Sequence, residues 1–546
     1  MRPAAARAPR RSVHPLVRRA ALVAVLAALA GAAGSVHAQG APSRLWRPEE
    51  RLVLPDLSSV TAVAVTQSSV FAATREALAV YDRASLALRE VSVGSDGFPL
   101  APVATMVADP SDDTVWMGGP GYWAAYYPLG RRWDAGPLPG AADLVALDAA
   151  DAAGGAYFHT RAGWYRVRKN ALSAESVPAG PPFAGRRIAP ASPRELWAAA
   201  PGLDAVRLSI ERDATLRMTP ITSAAIAPVR GEAYVGTAGN GVFRVDLASY
   251  RSERLPAGML GSAVGAIAVG QDRICAAADL RRDAAERGVT CFAADLSDFT
   301  YLRGGPAGIP GTQVRRMLLT RDAVWLATNA GALRVPRGGD AMRQFTERDG
   351  LQSGDVRALA QASAGIWVGG ALGVAVAPEG DSRDPAEPVA TVHANVLAFA
   401  VTGDTLWIGS SLGLLALPPG GVGPVAVQPD LPSLRSPVVA LAIKGDTILA
   451  ALPNRLVLRA GGVWRVVDPP GVSIGRFTVA TPDARGFWLG GAQGLAFYQP
   501  ASNVWRALTS SGDLPLPVLD VAAAGDYVWV ATPGGVVRFL RSVLVP

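Results

Sequence analysis

The chain has 546 residues, of which half are hydrophobic and 18% charged, and it carries a formal net charge of +7. Its mean hydropathy is +0.22. This composition excludes a disordered tail, a collagen-like rod and a disulfide-stapled miniprotein. A whole-chain excess of positive charge points to nucleic acid or a membrane, so where the charge sits matters.

It sits at the N-terminus. Met1 to Arg19 hold six arginines and no acid, Ala20 to Gly34 is an unbroken run of Ala, Val, Leu and Gly, and Ser35-Val36-His37-Ala38 follows. A basic region, an apolar stretch too short for a bilayer span and small residues at a cleavage position predict a secretory signal over 1–38, cut near Ala38. The alternative is an uncleaved anchor. Beyond residue 38 there remain 46 basic and 45 acidic residues. No Lys/Arg run of the nucleic-acid-binding kind occurs there, and no second apolar stretch reaches spanning length. The mature chain is therefore expected to be exported, periplasmic or extracellular, without a transmembrane segment and without a nucleic-acid partner.

From residue 45 onward a phrase recurs at intervals of about 42 residues: an aromatic, an aliphatic, two small residues, then Gly six places after the aromatic. Its anchors are Trp325, Trp367, Trp407, Trp488 and Trp529 in full copies, Trp116, Tyr157, Trp197 and Tyr234 in weaker ones, and Phe71, Cys275 and Leu449 in degenerate ones. A Val-led apolar stretch opens 11 residues before many anchors, as at Val264, Val314, Val356, Val396, Val438 and Val518. Two further short stretches follow each turn Gly. Each stretch is too short for a typical helix and suits a strand, and Gly, Asp, Pro and Ser punctuate the gaps. Four short strands per repeat, twelve times, predict an all-β fold: a β-propeller of about twelve four-stranded blades, arranged as two propellers. Sheets stacked on both faces explain the continuous apolar runs and the positive hydropathy without a membrane. The tryptophans fall on repeat positions and read as packing residues.

The longest anchor spacing, from Cys275 to Trp325, contains Gly304-Gly-Pro-Ala-Gly-Ile-Pro-Gly311. It predicts a division into residues 39–305 (repeats one to six) and 306–546 (repeats seven to twelve). The last repeat lacks a fourth strand, and Leu45 to Leu54 resembles an orphan one. Residues 43–55 are therefore expected to close the last blade, hiding two sheet edges at once.

Asp349-Gly-Leu-Gln-Ser-Gly-Asp-Val-Arg-Ala-Leu-Ala followed by Gly365-Ile-Trp-Val-Gly-Gly-Ala-Leu-Gly-Val resembles the two-component regulator propeller repeat. Gly512-Asp-Leu-Pro and Asp96-Gly-Phe-Pro are similar to its inter-blade linker. The resemblance is strongest from about 310 to 546. It implies a β-propeller of the kind found in periplasmic sensor regions. In that family an immunoglobulin-like domain, a membrane helix and a kinase commonly follow; none follows the last repeat here, so kinase signalling by this chain itself is not expected.

The chemistry is sparse. Only His159 and His393 lie beyond the signal, 234 residues apart, so no His/Cys metal site can be assembled, and no metal or other cofactor is expected. Loop carboxylates could hold calcium without a short motif. No nucleophile elbow or phosphate loop is present, and no catalytic residues are assigned. The only cysteines, Cys275 and Cys291, flank a charged insertion. If the flanking strands pair symmetrically about residue 283, the two face each other and an exported protein can bridge them; two free buried thiols are the alternative. Propellers bind on loops at the ends of their channels. The candidate binding residues there are Asp96, Arg315, Arg316, Asp349, Arg357, Asp513 and Asp520, each with ordinary solvated charge as the competing reading. The expected function is a non-catalytic binding or scaffold protein with a protein or glycan partner in the cell envelope, of the kind that forms the ligand-sensing part of an envelope system. The alternatives are a propeller lyase or lactonase-type hydrolase using channel carboxylates and a divalent metal, and a sensor passing its signal to a separate membrane protein.

Overall fold

The structure, a computed structural model, describes residues 44–545 except 45, 100, 110, 139–143, 149–154, 181–185, 188–203, 228–230, 279–287, 305–307, 312, 338–341, 381, 422, 428–430 and 470–472. The signal segment 1–38 and the anchor Trp197 lie outside the described residues. Within them stand eleven antiparallel sheets, ten of four strands and one of five. No described helix is long and apolar enough to cross a membrane.

The inner strands set the architecture. Seven of them begin at Val264, Val314, Val356, Val396, Ala440, Phe477 and Asp520. Each packs against the next, and the last packs back on the first, so these seven sheets form a closed ring. The other four sheets have inner strands Ala62–Val65, Thr105–Ala108, Leu144–Asp148 and Ile221–Ile226. The fourth packs against the first of that set, which packs against the second, and the second against the third. The sheet of 264–303 thus belongs with the C-terminal sheets, and the division expected near 305 falls inside the ring. The long spacing that suggested it has another cause. Residues 279–287 are inserted between the second and third strands of one sheet, Ile274–Ala278 and Gly288–Phe292. Cys275 and Cys291 stand directly opposite in that pair and are disulfide-bonded.

The ring is completed from far away in sequence. Arg51–Leu54 pairs antiparallel with Gly535–Leu540 as the fourth strand of the last sheet. Segments 55–60 and 256–261 then run side by side between the two sets of sheets. Leu57 N donates to Ala257 O and Met259 N to Pro55 O, and Asp56 Oδ2 accepts from Gly261 N.

Strands two and three of most sheets are buried almost throughout, as in Tyr527–Thr532 and Gly535–Leu540. Fourth strands differ: Val463–Val467 and Val504–Leu508 are largely exposed, because the rim of a ring faces water. Six of the seven Trp anchors lie in second strands, with Trp116, Trp325 and Trp529 fully buried. His159 stacks on Trp164, ring centroids 4.2 Å apart. A helical stretch breaks the all-strand expectation. After Trp197, where a third strand was due, Asp204–Arg212 is an α-helix, followed by the helix Ala214–Met218. Val206 and Ile210 pack inward at i, i+4 spacing, and Asp213 caps the second helix by accepting from Thr215 N and Leu216 N.

The small residues after each aromatic permit close stacking. A Cβ at Gly490 would lie 2.5 Å from Val518 Cγ1 and 2.6 Å from Val479 Cγ1. Gly490→Val is therefore expected to cost about 3 kcal/mol, read as a lowered urea midpoint. A hydroxyl three places after the anchor makes a second recurrent device. Thr328 Oγ1 accepts from Ala330 N and donates to Gly331 O, and Thr532 does the same with Gly534 N and Gly535 O. Each such hydroxyl closes the hairpin between strands two and three.

Candidate functional site

Inner strands begin at the same end of each sheet as the hairpin joining strands two and three: Val356, for example, pairs with Gly370. The residues following the first position of the seven Val- or Phe-led stretches therefore gather around the mouth of the ring. There Arg315 and Arg357, on neighbouring sheets, form one cluster with Asp355. Arg315 Nε donates to Asp355 Oδ1 at 3.0 Å and its Nη2 lies 2.9 Å from the same oxygen. Arg357 takes the other oxygen, with Nη2 at 2.6 Å and Nε at 3.0 Å from Oδ2. All three side chains are 29% exposed. Two guanidiniums share one carboxylate, so the cluster keeps a net charge of about +1. Half-exposed Leu397, Val439 and Leu519 occupy the equivalent positions on other sheets. Gly265 and Thr478 hold the remaining two, so the mouth is cationic on one side and mainly aliphatic on the other.

Arg316 and Asp520 meet one position deeper. Arg316 Nη1 lies 3.1 Å from Asp520 Oδ1, Ile267 N donates to Asp520 Oδ2 at 3.1 Å, and Val521 N donates to Oδ1 at 3.0 Å. One carboxylate thus ties the last sheet to the two sheets that follow it around the ring. Burial pushes the Asp520 carboxyl above its usual range, against the opposing pull of Arg316 and the two backbone N–H groups.

The other three sequence candidates are elsewhere and act in linkers. Asp349 Oδ2 accepts from the backbone N and hydroxyl of Thr346, closing the turn Glu347–Asp349. Asp96 does the equivalent with Val93 N. Asp513, fully buried, accepts from Trp46 Nε1. Asp96 and Asp513 share a partner in Arg51, which donates to Asp96 Oδ1 at 3.0 Å and to the Asp513 carbonyl at 2.6 Å. Two linkers that read in the sequence as ligand loops instead meet on a strand near the N-terminus.

The structure thus brings together Arg315, Arg316, Arg357 and Asp520, and adds Asp355. The signal for Asp355 was present: it stands two residues before Arg357, and Arg315 occupies the matching position one repeat earlier. Among the described residues no group of three or more His, Cys, Asp or Glu could hold a metal ion. Arginine stays protonated and offers fixed donors, so the cluster is suited to holding an anion.

No protein-family model matches the chain, and no curated sequence is similar to it. Among solved structures, PorZ, an essential surface component of the type-IX secretion system of Porphyromonas gingivalis, is similar with a TM-score of 0.50 and 12% identity, over 90% of this chain and 87% of PorZ. The extracellular domain of the putative hybrid two-component system BT4673 from B. thetaiotaomicron has a TM-score of 0.42 and 11% identity, over 88% of this chain and 69% of that one. The WD40 β-propeller domain of Doa1 has a TM-score of 0.41 and 14% identity, over 51% of this chain and 92% of that domain. At 12% identity the likeness to PorZ is one of fold, and together with the closed ring of four-stranded sheets it makes this chain a β-propeller protein.

Proposed function

We propose that the chain is an exported, non-catalytic β-propeller binding protein of the cell envelope, divided into a seven-bladed and a smaller propeller, and that its ligand seats on the mouth of the seven-sheet ring. The observation that carries the reading is the Arg315–Asp355–Arg357 cluster. Two cations on adjacent sheets converge on one acid, beside an aliphatic wall. The signal-like segment 1–38 supports export, and the near-neutral remainder supports a localised patch over a general electrostatic field. The groups at the mouth favour recognition: the guanidiniums offer fixed hydrogen-bond donors, and Asp520 is buried and already held by three donors.

The test is binding of the purified mature chain to envelopes of its native host. Arg315→Ala with Arg357→Ala is expected to weaken binding about tenfold or more and to flatten its dependence on salt. Binding that is unchanged in affinity and salt response in that double variant overturns the reading.

A further inference from the structure

We infer that the face around Arg315 and Arg357 docks an extended polypeptide segment in which a carboxylate stands beside aliphatic side chains. The inference rests on the reading of the mouth as the binding site and adds the chemistry of the partner. Its first support is charge. The mouth cluster keeps one guanidinium beyond its single carboxylate, and on the adjoining linker the exposed Arg348 stands between Glu347 and Asp349, whose carboxylates are turned onto Gly354 N and onto the backbone N and hydroxyl of Thr346. The cationic half therefore complements a carboxylate.

The second support is an apolar feature placed beside it. Leu372 and Leu412 are 59% and 67% exposed. Each sits immediately before the turn glycine of its hairpin, on the sheet carrying Arg357 and on the next one around the ring. Other sheets of the ring have Ala330, Asn454, Gln493 and Gly534 at that place. Leucine there serves neither the turn nor the core.

The third support is rigidity. Val392 N donates to Leu372 O at 3.0 Å, and Ser411 N donates to Asn395 O at 2.9 Å; Asn395 N returns a bond to Ser411 Oγ. Both hairpins are thus pinned to one linker, residues 392–395, which enters the sheet carrying Leu412, so little ordering cost remains on binding. Leu397 lies on the strand between the tips and the axis and continues the aliphatic surface inward. Flat aromatic platforms and clustered side-chain amides would suit a sugar; isolated aliphatic tips beside arginines suit a peptide.

The test uses the mature chain and a fluorescent octapeptide of alternating leucine and glutamate, read by anisotropy. The Leu–Glu peptide is expected to bind saturably and more weakly as salt rises, and a Leu–Lys peptide is not expected to bind. Leu372→Ser with Leu412→Ser is expected to weaken binding about tenfold or more. Val463→Ser, on the exposed rim, should leave it unchanged. Absence of saturable binding, equal binding of the Leu–Lys peptide, or insensitivity to the leucine pair overturns the inference. Polygalacturonate binding that needs Arg315 and Arg357 but not the leucines also overturns it, while leaving the mouth as the binding site.

Discussion

Replacing Asp520 with alanine is expected to lower stability by about 3 kcal/mol, seen as a drop in the urea midpoint. The substitution strips the acceptor from Ile267 N and Val521 N and leaves Arg316 without its partner, at the junction where the last sheet meets the sheet of 264–303. No covalent continuity joins these two sheets around the ring, so the junction depends on packing, on the paired segments 55–60 and 256–261, and on this carboxylate. The pH response separates a latch from a mere space-filler. Because burial raises the Asp520 carboxyl in the folded chain, its protonated form is relatively favoured there. Its contribution is largest below the ordinary carboxylate range and declines as pH rises through the raised folded value. Asp520→Asn imitates the protonated form. Its stability relative to the parent chain should therefore improve from pH 4 to pH 7. A constant difference across that range would contradict the assignment.

Arg51→Ala is the second large effect. The side chain is 2% exposed. Besides Asp96 and the Asp513 carbonyl it reaches Ser95 Oγ at 3.1 Å and the Gly512 carbonyl. Losing it should cost about 3 kcal/mol, and Arg51→Lys should recover little, since one ammonium cannot span a fork of acceptors. Deleting 43–55 goes further. It removes buried Leu52, Val53 and Leu54 and bares the edge of Gly535–Leu540, a loss of about 5 kcal/mol or more. Calorimetry on both variants would show it; an unaltered melting curve for the deletion would mean that the last sheet is stable with three strands.

Much of the fold is written locally and was legible. The anchor aromatic, the small pair and the turn glycine mark each second strand and its hairpin, because close stacking and a tight turn demand those residue types in place. The ring membership of each sheet is not local. Nothing in 264–303 announces that it packs against Asp520–Ala524 some 220 residues later, and an insertion within a sheet lengthens a repeat as a domain boundary would. The helix Asp204–Arg212 was hidden by a repeat rhythm that led the eye to a strand, although Val206 and Ile210 show helical spacing.

The site was half legible for the same reason. Arg315, Arg316, Arg357 and Asp520 stand out as charges at the start of apolar inner strands, where the other repeats of the ring have uncharged residues such as Leu397, Val439 and Ala398. Asp349, Asp96 and Asp513 carried the same signal in linkers, yet their carboxylates are taken up by backbone turns, by Arg51 and by Trp46. Sequence spacing distinguishes a linker acid from a strand acid, but only the packed ring shows which charges meet across neighbouring sheets.

Site-specific photo-crosslinking in the native host tests the binding reading most directly. A photoreactive residue at position 397, inside the mouth, is compared with one at 463 on the rim. A discrete adduct at 397, absent at 463 and lost when Arg315→Ala and Arg357→Ala are added, is the expected result. No adduct at 397, or one that persists without the two arginines, would contradict the mouth as the binding site.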